Sequence, residues 1–357
     1  MDGRFAFLFP GQDSQQVGMG LDLYRRFPVV RETFREAGDL LELPVEELCF
    51  RGPLSELHKT EHGQPAVFVL SVAAFRLLES LQITPCAAAG HSLGQYAALV
   101  AAGSLSWPDA CRLVGARSHL MNEICERVPG AMAALVGLPL ERIRAICRES
   151  QEVGIVRIAS YNSPDQFVVA GEPAAVNHVA VRAARAGAAK TSLLPVNGAF
   201  HSPLMQAAQG QFASFLENIP IEAPRIPVVM DTMGMPVASP DVIRTCLVDQ
   251  LTAPVLWTDT MTWLLEQGVT TFIEVGPGQL LTRLIRATAR PKTVATFETS
   301  TAESLRRALH ALAARSGASL IEPHPTGDSA NAARAQALGA SDGSSNTQST
   351  ARRSGGF

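Results

Sequence analysis

Ser92 is the residue around which a chemical site is most readily built. It is the centre of Gly-His-Ser-Leu-Gly at positions 90–94, between an apolar stretch at 86–89 and a helix-forming stretch. In a strand–turn–helix context this Gly-x-Ser-x-Gly pattern is typical of a nucleophile elbow, where small glycines allow close approach at a strained turn. The helix start would favour a developing oxyanion. An ordinary Gly-Ser turn explains five residues equally well, so Ser92 needs a base and an anion site as partners.

Three further polar residues are candidates for the base and the anion-binding groups that Ser92 needs. Gln12 follows the apolar run 4–9, which predicts a buried strand with polar side chains at its C-terminal edge. Arg117 lies within 108–124, which predicts a helix with a proline in its first turn. His201 stands in a loop before a predicted helix, where we expect it to be exposed. Taken singly, the arginine fits a solvated helix face and the histidine an ordinary surface loop.

The elements around these residues predict a large α/β unit. Residues 66–81 have helical spacing and should form a buried helix that leads into the strand before Ser92. Apolar runs at 227–230 and 271–275 predict further buried strands, and the second should run into a helix from Gln279. Ser202 should cap a helix that reaches about Ile219.

From about residue 129 the sequence pattern changes and predicts a second, smaller unit of short strands and two helices. Strands are expected at 131–136, 153–161, 166–171 and 190–196, with helices at 139–149 and 173–186. The turn between the middle strands is expected at Asn162-Ser163-Pro164-Asp165. The order βαββαβ is the ferredoxin-like pattern.

These observations predict a discontinuous catalytic domain. We assign residues 1–127 and 197–320 to the large α/β domain and 128–196 to an inserted ferredoxin-like subdomain. Residues 323–357 contain almost no large apolar side chain and should form a disordered tail, because they cannot bury enough surface.

Composition excludes several functional classes. The chain has 357 residues, 46% of them hydrophobic, and a formal net charge of −3, so no global field favours nucleic acid or a membrane. Its six cysteines are scattered without metal-ligand spacing, which predicts free thiols in a reducing compartment and no metal site. No signal peptide is evident at the start, and no stretch approaches the ~20 apolar residues of a membrane span. We therefore expect a soluble, cytoplasmic protein.

Seven runs, in order, carry a family resemblance. They are Phe9-Pro10-Gly11-Gln12, Gly90-His91-Ser92-Leu93-Gly94, Arg117, Tyr161-Asn162-Ser163-Pro164, Gly198-Ala199-Phe200-His201-Ser202, Gln250-Leu251-Thr252-Ala253-Pro254-Val255 and Glu274-Val275-Gly276-Pro277-Gly278. Each run alone is weak. Together, over residues 4–315, they resemble the malonyl-CoA:acyl-carrier-protein transacylases, including acyltransferases of fatty-acid and polyketide synthesis. The resemblance implies a hydrolase-like α/β domain with a parallel sheet and an inserted ferredoxin-like subdomain.

The resemblance also implies catalytic roles. Ser92 would attack the thioester, and His201 would act as general base and then as acid. The backbone N–H groups of Gln12 and Leu93 would form the oxyanion hole. A backbone carbonyl near Gln250 would orient the base.

Substrate selection follows from the same resemblance. Arg117 would bind the free carboxylate of a malonyl group through its two-pronged guanidinium. Phe200 would crowd out an α-methyl substituent, a discrimination of ~1–3 kcal/mol. Two residues depart from the common family pattern: Asp13 stands where glycine is usual, and Gln95 where glutamate is usual. Asp13 tolerates a left-handed backbone but adds negative charge near an anionic donor.

The implied reaction is malonyl transfer from malonyl-CoA to an acyl carrier protein, with no cofactor apart from the coenzyme A thioester as substrate. The alternative is an acyltransferase or hydrolase acting on other acyl chains, including carrier-bound ones in polyketide synthesis. Arg117 separates the two, because a neutral acyl chain offers no partner to a buried cation. A generic serine esterase needs an acid between serine and histidine, and Asp109 and Asp165 belong to unsuitable elements. A non-catalytic docking module is disfavoured because nucleophile, base, oxyanion loop and arginine are all present.

Overall fold

The computed structural model describes residues 4–196 and 198–316. The tail predicted to be disordered, 323–357, lies outside the described residues. All six cysteines are free thiols. Within the described ranges no helix has both the length and the apolar character needed to cross a membrane.

The described residues form ten strands and fourteen α-helices. The strands are Phe5–Phe9 (β1), Ala87–Gly90 (β2), Ala131–Val136 (β3), Val156–Ser163 (β4), Gln166–Gly171 (β5), Lys190–Leu193 (β6), Val228–Met230 (β7), Met235–Pro236 (β8), Thr271–Glu274 (β9) and Ala295–Glu298 (β10). The helices are Leu21–Arg26 (α1), Pro28–Leu41 (α2), Val45–Phe50 (α3), Leu54–Leu57 (α4), Thr60–Ser80 (α5), Gly94–Ala101 (α6), Trp107–Arg127 (α7), Leu140–Ser150 (α8), Pro173–Arg185 (α9), Gln206–Leu216 (α10), Pro240–Asp249 (α11), Trp257–Glu266 (α12), Leu280–Thr288 (α13) and Ala302–Ser316 (α14).

The larger sheet has the strand order β10-β9-β1-β2-β7-β8 and is parallel except where β8 turns back on β7. β1 is buried on both faces: Phe7 and Phe9 pack into one core cluster, and Ala6 and Leu8 into the other. A parallel strand covered by helices on both sides is apolar throughout, because neither face meets water. The run 4–9 therefore forms the buried strand predicted for it.

The smaller sheet is antiparallel, with the order β4-β5-β3-β6. Two helices, α8 and α9, pack together, and their buried Ile143, Ile146 and Val179 share a core with Leu135 and Val169 of the strands. This is the predicted ferredoxin-like βαββαβ arrangement, so the α/β fold class with two sheets is confirmed.

A short bridge joins the two sheets. Val255, just before α12, donates its N–H to the carbonyl of Ala159 at 2.9 Å and accepts from the N–H of Tyr161 at 2.9 Å. On the other side, the His91 ring Nε2 lies 2.9 Å from the Asn162 side-chain oxygen. The end of β4 is therefore held against the loop that follows β2, with a cleft between the sheets.

Several predicted boundaries are wrong by a few residues. The strand predicted at 153–161 is Val156–Ser163, and the turn is reduced to Pro164 and Asp165. Two register shifts let Tyr161 and Ser163 keep pairing with β5, so cross-strand pairing overrides the turn preference of the sequence.

Helix ends also differ. α5 begins at Thr60 instead of 66 and passes through Pro65. The helix after Ser202 begins with a 3₁₀ turn, Pro203–Met205, and ends at Leu216 instead of near Ile219. The Ser202 hydroxyl accepts from the Leu204 N–H at 3.3 Å, so its predicted capping role is confirmed.

Candidate active site

Ser92 lies at a sharp turn between β2 and α6. Its φ of 51° is in the left-handed region, which costs a non-glycine residue ~1–3 kcal/mol. The flanking glycines are required sterically. A Cβ on Gly90 would lie 2.0 Å from the backbone carbon of Gly94, and a Cβ on Gly94 would lie 2.0 Å from the carbonyl oxygen of Phe9. The Gly-x-Ser-x-Gly run therefore forms the elbow predicted for it.

The predicted oxyanion donors lie at the same edge of the parallel sheet. β1 and β2 are parallel neighbours with Phe9 opposite Gly90, so Gln12 and Leu93 both follow strand ends at this edge. A Cβ on Gly11 would lie 2.7 Å from the carbonyl oxygen of His91, which shows how closely the two loops approach. Within the described chain neither the Gln12 N–H nor the Leu93 N–H donates a hydrogen bond to a protein acceptor. Both N–H groups therefore lack a protein acceptor among the described residues, as the predicted oxyanion donors should.

His201 contacts the Ser92 hydroxyl directly, with its Nε2 2.8 Å from Oγ. Its Nδ1 lies 2.8 Å from the carbonyl oxygen of Gln250 and 3.1 Å from that of Ala253. Because a carbonyl oxygen can only accept, Nδ1 carries the proton and Nε2 accepts from the serine hydroxyl. The expected exposure of His201 is wrong: only 7% of the residue is exposed, since the segment holding Gln250 and Ala253 covers it.

The electrostatic surroundings keep this histidine neutral. Burial and the nearby positive charge of Arg117 lower the pKa of His201 to about 3. A neutral imidazole with a free Nε2 is the state required of a general base.

Arg117 reaches the same serine from α7. The Ser106 hydroxyl caps this helix by accepting from the Asp109 N–H at 3.2 Å, an interaction worth ~1 kcal/mol. The Arg117 side chain is 1% exposed, so the solvated-face interpretation is excluded. Its Nη2 donates to Ser92 Oγ at 3.1 Å and to the Gln250 side-chain oxygen at 3.3 Å.

The guanidinium has no carboxylate partner among the described residues. Apart from Ser92 and Gln250, its hydrogen-bond partner is the Gln64 side-chain oxygen, 2.6 Å from Nη1, and Nε has none. Burial lowers the pKa of Arg117, but a guanidinium stays charged in proteins. Because the guanidinium donors meet only neutral oxygen atoms among the described residues, the pocket can accept an anion beside Ser92.

Two residues of this arrangement escaped sequence reasoning. Gln64 donates to the Gln12 side-chain oxygen at 3.0 Å while its own oxygen holds Arg117. Asp231 is fully buried directly after β7 and accepts from the Ser92 N–H at 2.8 Å. Gln64 is a polar residue in the otherwise apolar buried helix α5, and Asp231 follows a parallel strand; either position could have signalled a site.

A cavity of about 210 Å³ opens over Ser92. Phe200 lines it beside His201, and Met121, Met132 and Val168 give it an apolar wall. Asp13 lies at the same cavity with φ 75°, so it adopts the left-handed backbone that glycine would.

The acids considered for an esterase triad are engaged elsewhere. Asp109 accepts from Arg112 at 2.8 Å, and Asp165 accepts from Ser163 at 2.7 Å. Asp231 bonds the serine backbone and not the histidine ring. The structure thus brings together Ser92, His201, Arg117, Gln250 and Phe200, with the loops of Gln12 and Leu93, but without a hydrolase-type acid.

Comparison with known proteins places this architecture in one class. The chain matches the family described as "Acyl transferase domain" over residues 6–320, and it belongs to that family. It is 42% identical over 285 residues to the malonyl CoA-acyl carrier protein transacylase of Haemophilus influenzae, covering 79% of this chain and 91% of that protein.

Two solved structures show the same fold. The transacylase of Coxiella burnetii superposes with a TM-score of 0.84 at 37% identity, covering 87% of this chain and 98% of the other. A malonyl-transacylase solved in complex with its type II polyketide-synthase acyl-carrier protein gives a TM-score of 0.83 at 40% identity, covering 86% and 99%.

Proposed function

We propose that this chain transfers a malonyl group from malonyl-CoA, through an ester on Ser92, to the phosphopantetheine thiol of an acyl carrier protein. The observation that carries the proposal is the buried guanidinium of Arg117, 3.1 Å from the serine hydroxyl and without a carboxylate partner in the described chain. A malonyl donor supplies that carboxylate. The similar proteins named malonyl CoA-acyl carrier protein transacylase, and the complex with an acyl-carrier protein, support both donor and acceptor.

In the first half-reaction Ser92 Oγ attacks the thioester carbonyl as its proton passes to His201 Nε2. The carbonyl oxygen becomes an oxyanion, for which the N–H groups of Gln12 and Leu93 are the proposed donors. The carbon–sulfur bond then breaks. His201 returns its proton to the departing coenzyme A thiolate, which leaves a malonyl ester on Ser92.

The second half-reaction runs the same steps with a new thiol. The carrier's phosphopantetheine thiol gives its proton to His201, and its sulfur attacks the ester carbonyl. When the carbon–oxygen bond breaks, Ser92 recovers a proton from His201. The carbonyl groups of Gln250 and Ala253 hold the imidazole in one tautomer throughout, the task that an acid performs in hydrolase triads.

The proposed reaction uses side chains and backbone groups of this chain and needs no cofactor, since coenzyme A enters as part of the substrate. We place it in the cytoplasm, in keeping with six free thiols. Phe200 supports selection of malonyl over branched donors, because its ring lines the cavity next to His201. The alternative function on neutral acyl chains is disfavoured by Arg117, which such chains would leave unpaired.

The test is covalent labelling. After incubation with malonyl-CoA, the intact mass should rise by about 86 Da, as expected of a double-displacement enzyme, and Ser92→Ala should abolish the increase. Ser80→Ala, at the opposite end of α5 from Gln64, serves as the matched control and should label normally. Adding a carrier protein with its phosphopantetheine arm should move the label to the carrier. Labelling that persists in Ser92→Ala would overturn the nucleophile. Labelling by neutral acyl donors but not by malonyl-CoA would overturn the donor class.

A further inference from the structure

Asp231 occupies a central position that the proposed reaction does not use. It follows β7, the neighbour of the strand that leads to Ser92, and it is fully buried. One carboxylate oxygen accepts from the Ser92 N–H at 2.8 Å, and both lie 3.0 Å from the Gln250 side-chain nitrogen. The carboxylate therefore holds the strained elbow and one glutamine side chain at once.

That glutamine also contacts Ser92, Arg117 and His201. Gln250 Nε2 also donates to the Ser92 carbonyl at 3.0 Å, its side-chain oxygen accepts from Arg117 at 3.3 Å, and its backbone carbonyl accepts from His201 at 2.8 Å. The Gln250 side chain thus holds Ser92 and Arg117 relative to each other, while its backbone carbonyl orients His201.

The same amide separates two buried opposite charges. Its nitrogen faces the carboxylate of Asp231 and its oxygen faces the guanidinium of Arg117, and the two charged groups form no direct ion pair. Although the Gln250 amide lies between them, the carboxylate of Asp231 and the guanidinium of Arg117 still attract each other. The attraction is screened less in this buried region than it would be in water. Asp231 can therefore offset the charge of Arg117 without occupying the guanidinium donors that a substrate carboxylate needs.

Gln95 supplies an independent observation. It is fully buried in the first turn of α6, and its side-chain oxygen accepts from the Asp231 N–H at 3.1 Å. Its side-chain nitrogen has no acceptor within the described chain, which is an energetic cost. A glutamate at this position would keep the acceptor for the Asp231 N–H but would place a second buried carboxylate beside Asp231.

We infer that Asp231 is a positioning residue: its carboxylate anchors the Ser92 turn and the Gln250 side chain. Before an acyl donor binds, the same carboxylate supplies the negative charge that balances Arg117. Position 95 is accordingly occupied by a neutral glutamine, because the negative charge lies at position 231. The inference deepens the proposed function and rests on the roles given there to Ser92 and Arg117.

The experiment compares Asp231→Asn, Gln95→Glu and the double variant Gln95→Glu/Asp231→Asn. Asp249→Asn, which removes an exposed carboxylate next to Gln250, is the matched control. For each protein, kcat/KM for acyl-enzyme formation is measured by intact mass with malonyl-CoA and with acetyl-CoA. The ratio of the two values reports on charge, since the donors differ by the carboxylate.

Asp231→Asn keeps an acceptor for the Ser92 N–H but removes the balancing charge. Arg117 then attracts the malonyl carboxylate more strongly and opposes formation of a cationic His201 with acetyl. The malonyl-to-acetyl ratio should rise about tenfold, equivalent to ~1.4 kcal/mol. In the double variant the charge returns at position 95, and the ratio should fall back to within about threefold of wild type.

If Asp231 only packs, Asp231→Asn should lower kcat/KM for malonyl-CoA and acetyl-CoA equally and leave their ratio unchanged. That result would overturn the inference, and so would a ratio that is not restored in the double variant. If wild type and Asp249→Asn are malonylated normally, such a result leaves the proposed function intact. If wild type is not malonylated on Ser92, the proposed function itself fails.

Thermal stability provides a second measurement should Asp231→Asn fold poorly. Burial raises the pKa of Asp231 to about 6, so this carboxyl is largely ionised at pH 8 and largely protonated at pH 5.5. Gln95→Glu places a second carboxyl beside it, so the melting temperature relative to wild type should fall more at about pH 8, where both are ionised, than at about pH 5.5. The other titratable groups coupled to Asp231 are Arg117, Tyr96 and Cys246. Burial raises the pKa of Tyr96 and of Cys246, so both stay neutral at either pH. An equal loss of stability at both pH values would overturn the charge assignment.

Discussion

The two walls of the cleft, one around Ser92 and the other around Arg117, are held in place by different kinds of group. Around Ser92 the turn is set mainly by the main chain, because backbone atoms fill the space beside Gly90 and Gly94. One side chain, the buried carboxylate of Asp231, holds the Ser92 N–H. Around Arg117 the geometry is set by side chains, with the guanidinium held by the amide oxygens of Gln64 and Gln250. The first wall suits any thioester, whereas the second depends on which acyl group is bound. Catalysis and selection should therefore be separable by mutation.

Removing the base tests the first wall and should have the largest effect. His201→Ala should slow acylation by ~10²–10⁴-fold, the usual contribution of a positioned general base. The loss should be similar for malonyl-CoA and acetyl-CoA, because the proton transfer is common to both. Rapid-quench mass measurement of the acyl-enzyme gives the rates, and His119→Ala, exposed on α7, is the control. A loss below tenfold in folded protein would show that another group is the base.

Removing the cation tests the second wall. Arg117→Ala leaves the donor's carboxylate buried without a partner, a cost of ~3–5 kcal/mol, so malonyl transfer should fall by ~10²–10³-fold. Acetyl transfer should hold steady or rise. The measurement is kcat/KM for both donors with a carrier protein as acceptor.

The control for this prediction is Arg112→Ala, which removes an exposed arginine of the same helix. A parallel fall for both donors in Arg117→Ala would show that the arginine is structural and that the two walls are not separable.

The smallest effect should come from the residue that holds the cation. Gln64→Met keeps the side-chain length but removes the bond to Arg117, and hydrogen bonds to charged groups contribute ~1.5–3 kcal/mol. Because other donors of Arg117 remain engaged, malonyl kcat/KM should fall by only about tenfold, at the lower end of that range. Acetyl kcat/KM should fall less than malonyl kcat/KM, because for acetyl only the bond from Gln64 to the Gln12 side chain is lost.

For malonyl, the double variant Arg117→Ala/Gln64→Met should lose much less than the sum of the two single losses, since the larger part of the Gln64 effect passes through Arg117 and only its bond to Gln12 remains to be lost. An additive loss would place Gln64 in direct contact with the donor instead.

The same contrast explains what the sequence could predict. The elbow, the strand before Gln12 and the ferredoxin-like order follow from local patterns, in which glycine spacing and apolar periodicity determine the backbone. His201 was predicted at the right place but in the wrong environment. Its burial depends on carbonyl groups near Gln250, 49 residues away in the chain.

Gln64 and Asp231 were missed because their roles exist only through contacts distant in sequence. Gln64 meets Arg117 across 53 residues, and Asp231 meets Ser92 across 139. A pattern in a short stretch of sequence cannot predict contacts between residues so far apart in the chain. The edge strands β8 and β10 were missed because they are short and not fully buried, so they lack the continuous apolar run from which the equally short β7 and β9 were predicted. The predicted domain boundaries and the predicted tail at 323–357 stay predictions.

The bridge at Val255 has a mechanical consequence. The segment that holds His201 through the Gln250 and Ala253 carbonyls continues, two residues later, into the pair of hydrogen bonds with β4 of the smaller sheet. A displacement of the smaller sheet would therefore displace the Gln250 and Ala253 carbonyl groups that orient the His201 imidazole. One short backbone segment thus sets both where the end of β4 lies at the cleft and how the base is oriented toward Ser92.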